Sequence, residues 1–489
     1  MPDEVKKVSV KINGREYTVP ASWSVIQACH NNGIEVPHYC YHPDLSVAGN
    51  CRMCLVKVSG LPRPVIACAT PVSDKLEIDT TGEEVVNARK AIMEFLLINH
   101  PLDCPECDQA GECRLQNYSY DYGRDHGRFH EEKVVRTKSS LGPHVKYWGS
   151  RCIVCTRCVR FTNEVSGTEE LAVINRGDRS EISVFPGRVL DNPLSLNTVD
   201  VCPVGALVSA DFLYSSRVWY LKSAPSICSD CSIGCNTRVD VDRSNAIKRI
   251  MPRRNDLVNK EWMCDHGRLS FPYVYENRLS LPRMNGSETS WKEALQYSVD
   301  LLKSSIHVTF LVSAWTTNDA IQKAKGIAYK KPPAALTGFA NPIGENKQFP
   351  GFLISGDKNP NRMGFAELTE IADIEKHLKE TAADSNPIEL LVVISNIPEY
   401  NVSEDVKKLM DRAQKIIVLD FAEGPLTNHK NTVLVLPTLT HFEKSGSFNN
   451  GTGLLQTFSP VIEPVGYGRN EIEILDSWIE SLRKDGVPA

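Results

Sequence analysis

Sixteen cysteines lie between Cys29 and Cys264 of a 489-residue chain, and fifteen of them fall into four groups at iron–sulfur ligand spacing. The first group is Cys40, Cys51, Cys54 and Cys68; the second is His100, Cys104, Cys107 and Cys113; the third is Cys152, Cys155, Cys158 and Cys202; the fourth is Cys228, Cys231, Cys235 and Cys264. Thiolates are soft donors, and pairs of them two residues apart can share one metal centre. The chemistry on offer is one-electron transfer, with no bond of an organic substrate made or broken.

In the first group, three cysteines in one loop and a fourth at a distance follow the logic of plant-type [2Fe-2S] ferredoxins, with a longer first gap. Gly49 and Asn50 suit a loop whose backbone amides approach the sulfides. Cys40-Tyr41-His42 begins like a Rieske centre, but no Cys-x-x-His follows, and structural zinc normally joins two compact pairs. The second group has three cysteines, and the nearest preceding soft donor is His100. It is either the fourth ligand or an imidazolium that favours a helix C-terminus, and spacing leaves both readings open. As a ligand, a neutral imidazole leaves the cluster one charge less negative than a thiolate would.

The third group, with Cys202-Pro203 downstream of a tight run, has the bacterial ferredoxin pattern for [4Fe-4S]. Only one such run exists, so Cys202 closes the cluster that Cys152 opens. Arg151, Arg157 and Arg160 flank the run and either stabilise a reduced cluster or form solvated surface. The fourth group also suits [4Fe-4S], with zinc as its rival. Cys29, left over in a helical pattern, reads as a small buried hydrophobe.

These ligands need rigid carriers. Residues 8–19 alternate in polarity around Asn13-Gly14, a hairpin signal; a helix runs from Trp23 to near Gly33, and the cysteine loop follows. A helix is expected over 83–99, closed by Pro101 and delivering His100 at its C-terminus. Residues 118–150 read as surface or partner-facing loop. Beyond Cys264 the texture changes to buried strands at 308–312, 390–394, 415–420 and 433–437, with helices at 291–304, 317–330, 366–381 and 403–414. That order implies a parallel α/β sheet. The expected fold is thus a series of α+β cluster-binding modules followed by an α/β domain.

The opening MPDEVKKVSVKINGREY lacks the apolar core of a secretory signal, and no apolar run approaches the roughly 18 residues of a membrane span. A soluble chain in a reducing compartment is expected, where thiols ligate metal rather than pair. The formal charge of −5 gives no warrant for nucleic-acid binding. Loading fifteen thiolates with four oxidised cores lowers it to about −12, which favours solubility and basic partners.

Taken together, the four groups in this order resemble the large iron–sulfur subunit (75-kDa type) of bacterial respiratory complex I, the NADH:quinone oxidoreductase, over roughly residues 5–280. The resemblance implies one [2Fe-2S] centre on the first group and three [4Fe-4S] centres on the others, the second held by His100 with three cysteines. The last centre resembles one found in some bacterial members and considered to lie off the main electron route. The rest resembles a shortened molybdopterin-enzyme domain. Glu443-Lys444-Ser445-Gly446-Ser447-Phe448-Asn449-Asn450 with Gly453 and Gln456 echoes an EKxGTFxNxEGRxQ motif, departing at Ser447, Thr452 and Leu454, and Ser395-Asn396-Ile397-Pro398 resembles a degraded GxNP loop.

The resemblance implies modules at 1–80 (β-grasp [2Fe-2S]), 81–120 (one-His/three-Cys), 121–220 (ferredoxin-like [4Fe-4S]) and 221–280 ([4Fe-4S] of molybdopterin-oxidoreductase type), then a domain at 281–489 without molybdopterin or flavin. It also implies entry of electrons from an FMN-bearing NADH-oxidising subunit and exit to a ferredoxin-like subunit. A small [2Fe-2S] subunit would be a neighbour. The expected place is a peripheral arm on the cytoplasmic side, attached to the membrane only through the complex. Rivals sharing the front end are an NAD-linked formate dehydrogenase and an iron-only hydrogenase. The cysteine-free C-terminal half offers neither a thiolate for molybdenum nor ligands for a further cluster. A zinc-stabilised scaffold without redox activity is the rival from another class.

Overall fold

The hairpin signal at Asn13-Gly14 is realised as two antiparallel strands, Lys7–Ile12 and Arg15–Pro20, in a computed structural model that describes residues 6–330, 335–398 and 402–484. Residues 1–5, part of the segment read for a secretory signal, and the tail of the 281–489 domain at 485–489 lie outside the described residues. Asn13 and Gly14 have φ of 49° and 84°, the two positive values that a type I′ turn requires. Two compact units form. One comprises the chain up to Leu221 with Phe349–Gly351, the other Lys222–Gln348 with the chain from Phe352.

In the first unit, Val8, Val10 and Ile12 are buried at every second position, the period of the pleat. Ser24 caps the helix Val25–Asn31, its backbone N–H donating to Gln27 Oε1 at 2.8 Å, and Gly33 at φ 74° turns the chain away. The strands Lys7–Ile12 and Leu76–Asp79 run parallel at the middle of a five-stranded sheet, flanked by antiparallel neighbours. This is a β-grasp, and its loops carry the first cysteine group.

The helix expected over 83–99 spans Glu83–Leu97. Residues 118–150 are more ordered than expected. Arg114–Tyr122 is helical, Lys138–Ser140 pairs with Val145–Trp148, and the latter pairs with Leu207–Ser209. That last partner lies some sixty residues downstream, so local periodicity could not announce it.

In the second unit, a three-stranded antiparallel sheet (Lys222–Ile227, Asn236–Val241, Ile247–Pro252) frames Cys228 and Cys235. A seven-stranded sheet follows. Its five strands Thr432–Pro437, Ala413–Asp420, Ile388–Ile394, Val308–Ser313 and Ala335–Phe339 are mutually parallel. Leu390, Val392 and Ile394 join one buried cluster and Leu391 and Val393 another, as a parallel sheet covered on both faces requires. Four of these strands coincide with the expected ones. The fifth carries Thr337 and Gly338, which dilute its apolar signal, and a Cβ at Gly338 would stand 2.5 Å from Phe365. The single helix expected over 366–381 is two, Arg362–Thr369 and Ile374–Ala383. They part at Glu370, which is left-handed at φ 65°, and Asp373 caps the second by accepting the Lys376 N–H at 2.8 Å. Among the described residues no helix is long and apolar enough to cross a membrane.

Asp420 ends a central strand, is buried, and accepts the Phe421 N–H at 2.8 Å. Burial pushes its carboxyl up to about 7, against about 3.9 in an unfolded chain. Between those values the folded state holds a proton that the unfolded state has lost, so Asp420's own contribution to stability is fully present below pH 4 and is lost as pH rises through 7. The expected loss is on the order of 2–4 kcal/mol between pH 4 and 8. Denaturant titrations of wild type and Asp420→Asn should differ by this amount, the stability of the wild type falling relative to the variant between pH 4 and 8; a difference that does not change with pH would contradict it.

Candidate metal centres

The first group is built by the β-grasp loops, with Cys40, Cys54 and Cys68 buried and Cys51 half-buried. Hydrogen bonds from the Cys51 and Cys68 thiols, helped by the amides of Cys51 and Asn50, hold Cys40 well below the usual thiol range. Cys51 and Cys68 are pushed up in return, because each gives a hydrogen bond to Cys40. Gly49 at φ 62° lets those amides turn onto the sulfur, a conformation costly for residues with a Cβ. His42, the residue behind the Rieske alternative, accepts the Asp44 N–H on Nδ1 at 3.2 Å.

In the second group, the Asp103 carbonyl accepts the N–H of both Glu106 and Cys107 at 2.8 Å, which winds the Cys104–Cys107 turn. Cys113 stands at the N-cap of Arg114–Tyr122. Cys107 and Cys113 are buried and Cys104 is exposed; the three thiols are electrostatic neighbours, and burial pushes Cys113 up to about 11. Gly205 closes over them, since a Cβ there would lie 2.2 Å from Cys107 Sγ. His100 is half-buried, and burial, followed by Lys133 and Arg151, lowers it to about 4. Its imidazole is therefore neutral at physiological pH, the state a metal ligand needs. Arg151 acts electrostatically on both His100 and Cys107, and among the described residues no hydrogen bond joins His100 to the three thiols.

All four cysteines of the third group line one enclosed cavity with Tyr147, Ile182 and Leu207. Val154 and Thr156 are left-handed, at φ 49° and 62°. Such alternation turns successive amides inward as a nest that suits an anionic sulfur site. Val154 N–H reaches Cys152 Sγ at 3.3 Å, and the amides of Leu207, Val204 and Ala206 approach Cys202. Burial pushes Cys155 and Cys202 up to about 11 and Cys158 further.

The surface reading of Arg151, Arg157 and Arg160 is overturned, for they are 2, 6 and 9 % exposed. Arg160 Nη2 donates to the carbonyls of Cys40 at 2.5 Å and Cys155 at 3.4 Å. Arg157 donates to the carbonyls of Tyr41 and Val201. Both guanidinium groups thus tie the first cysteine loop to segments that carry the third group.

The fourth group belongs to the second unit. Burial pushes Cys264 up to about 12 and Cys228 and Cys235 well above the usual range, each raised further by the other thiols. Cys264 caps Asp265–Leu269, its Sγ accepting the Gly267 N–H at 3.3 Å. A Cβ at Gly267 would come within 2.7 Å of Cys228 Sγ. Sequence reasoning missed Asp230 and Lys358. Against the upward push of burial, His266 at 2.6 Å and Lys358 at 2.9 Å hold the Asp230 carboxyl below its usual range. It also missed what the Glu443–Gln456 motif does. Gly451 N–H, Asn450 Nδ2 and Gln456 Nε2 donate to the carbonyls of Ser232, Ile233 and Gly234 at 2.6, 3.2 and 3.1 Å. The motif grips the loop between Cys231 and Cys235.

The donor sets fit iron–sulfur clusters. Soft sulfurs converge in fours in three of the sets and in a three in the second, and amides point at sulfur. Cys29 is buried in the β-grasp core, where burial pushes its thiol up to about 12, and all sixteen cysteines are free thiols.

Four family models match the chain in order. They are a 2Fe-2S iron-sulfur cluster binding domain at residues 5–83, the NADH-ubiquinone oxidoreductase-G iron-sulfur binding region at 89–128, the ferredoxin-like domain of NADH-quinone oxidoreductase subunit 3 at 142–208, and an NDSU1/NuoG-like 4Fe-4S domain at 221–272. The NADH-ubiquinone oxidoreductase 75 kDa subunit of Reclinomonas americana is 46% identical over 294 residues, 59% of this chain and 42% of the relative. The mitochondrial NADH-ubiquinone oxidoreductase 78 kDa subunit of Neurospora crassa is 45% identical over 296 residues, 59% of this chain and 40% of the relative. The mitochondrial NADH dehydrogenase [ubiquinone] iron-sulfur protein 1 of Solanum tuberosum is 38% identical over 384 residues, 77% of this chain and 50% of the relative. The chain spans half or less of the length of these relatives. Its four cysteine-bearing regions are similar to those of the 75 kDa-type iron–sulfur proteins of NADH-quinone oxidoreductase, to which this part of the chain is homologous.

Proposed function

We propose that this chain is an electron-transfer subunit of an NADH:quinone oxidoreductase of complex I type. It would receive single electrons from an FMN-bearing NADH-oxidising subunit and pass them toward a ferredoxin-like subunit on the quinone side. A small [2Fe-2S] subunit is a further neighbour, and the setting is a peripheral arm on the cytoplasmic side of the membrane. The observation that carries the reading is the coincidence of four clustered, mostly buried cysteine sets with four matched iron–sulfur regions.

Cys40, Cys51, Cys54 and Cys68 would hold a [2Fe-2S] cluster. Three [4Fe-4S] clusters would be held by His100, Cys104, Cys107 and Cys113; by Cys152, Cys155, Cys158 and Cys202; and by Cys228, Cys231, Cys235 and Cys264. When bound, the clusters supply one-electron carriers. The chain's own groups fix those carriers in place and set their electrostatics. Buried thiols exclude water, amides at Cys40, Cys152, Cys202 and Cys264 stabilise anionic sulfur, and Arg157 and Arg160 hold the first and third loops together. We read the second unit as a fold of molybdopterin-oxidoreductase type that grips the fourth group and binds no molybdenum cofactor, a reading supported by the use of Asn450 and Gln456 as clamps.

Anaerobic reconstitution is expected to load about fourteen irons per chain and no molybdenum. A colourless zinc protein would refute the reading. His100→Ala should weaken the second centre, whereas His100→Cys should retain a cluster; identical iron content and spectra for His100→Ala and wild type would reject the ligand. Gly205→Ala, whose methyl collides with Cys107 Sγ, is expected to lower iron by about four per chain. Unchanged iron in that variant would contradict the placement of Cys107.

A further inference from the structure

Arg151 is the least explained charge in the first unit. It ends the short turn Gly149–Arg151, directly before Cys152. Its guanidinium lies against the Trp148 ring, 5.4 Å from the centroid. Nε donates to Asp103 Oδ2 at 2.9 Å, one residue before Cys104. Both Arg151 Cδ and Cys107 Sγ flank Gly205, at 3.9 and 2.2 Å from the position of a Cβ there. Nη2 is buried and has no hydrogen-bond partner among the described residues.

A buried guanidinium with a spare donor lowers stability unless something satisfies it. Asp103 answers only part of the charge, because its side chain is 33% exposed and partly screened by water while that of Arg151 is 2% exposed. Across Gly205 the cation stands beside Cys107, the thiol of the second group on which its charge acts. Cationic charge and N–H donation to sulfur both favour the more reduced, more negative state of a cluster.

We propose that Arg151 is a positioning residue that sets the reduction potential of the second centre by donating Nη2–H to its sulfur and placing a fixed positive charge beside Cys107. The proposal rests on the reading that His100, Cys104, Cys107 and Cys113 hold a [4Fe-4S] cluster. When one electron is taken up from a reductant, no bond is made or broken. The guanidinium keeps all its protons and meets one added negative charge. Because Arg151 adjoins Cys152 in the chain, its loop also ties the second group to the third.

The test is a dithionite titration, followed by low-temperature paramagnetic resonance, of the full-length reconstituted chain as wild type, Arg151→Met and Arg151→Lys, with iron measured in each. Arg151→Met is expected to keep its iron and to lower the equilibrium constant for one-electron reduction at the second centre about tenfold, a shift of about 59 mV to more negative potential. Arg151→Lys keeps the charge without the fork and should shift it in the same direction by less, about threefold, with the [2Fe-2S] midpoint unmoved in both. A second-centre midpoint equal to wild type in Arg151→Met overturns the proposal. If Arg151→Met fails to hold the centre, Arg151→Lys decides: a lowered midpoint supports the proposal and a wild-type midpoint overturns it. Absence of any second-centre signal in the wild type would instead overturn the ligand reading on which the proposal rests.

Discussion

A thiol taken out of water resists ionisation, and this chain places fifteen of them in four crowded, mostly buried sets. Burial and mutual repulsion push up the proton affinities of Cys113, Cys155 and Cys202, and burial with the nearby Asp230 carboxylate that of Cys264. Four adjacent thiolates cannot coexist in such a place without a cation to bind them. In the proposed reading the net positive charge of iron–sulfide cores offsets the thiolates, and loading would expel protons. The rest of the architecture serves this requirement. Short turns, left-handed residues and glycines bring N–H groups and sulfurs within reach, and arginines supply fixed positive charge where the chain is deepest.

The two units meet the requirement by different means. In the first, the cysteine loops are too short to form a core of their own, and buried guanidinium groups bind loop to loop. Arg160 joins the carbonyls of Cys40 and Cys155, and Arg157 those of Tyr41 and Val201. Each such arginine uses several donors of one planar fork at once, a rigid geometry that the single ammonium of lysine does not offer. In the second, a large parallel sheet supplies the rigid frame. A hairpin from its C-terminal part, Gly446–Asn449 paired with Leu455–Phe458, presents the groups that hold the Cys231–Cys235 loop. The motif that resembles one of an enzyme family is used here for backbone carbonyls of a cysteine loop.

Much of this was legible in the sequence, and the reasons are local. Ligand spacing is a short-range property, so Cys152-x2-Cys155-x2-Cys158 could be read directly. Asn13-Gly14 encodes its own turn, and the buried strands announce themselves by apolar runs, unbroken at 390–394 and interrupted only by Thr309 at 308–312. What escaped depends on contacts between distant segments. Val145–Trp148 is a strand because Leu207–Ser209 pairs with it. Glu370 breaks a helix in a left-handed conformation that glutamate does not advertise. Gly205 is required by the approach of Cys107, nearly a hundred residues away. Arg157 and Arg160 look like surface charge until their carbonyl partners are seen.

The central claim is that these side chains enclose inorganic sulfide clusters of two sizes. Mössbauer spectroscopy of the chain reconstituted with iron-57 tests it most directly, because every iron contributes to the spectrum whatever its spin state. All bound iron is expected to be tetrahedral and mainly sulfur-coordinated, with about one part in seven in a ferric [2Fe-2S] pair and the remainder in mixed-valence [4Fe-4S] cores. A spectrum of one cluster type alone, or of iron bound nonspecifically through oxygen while zinc fills the cysteine sites, would contradict it.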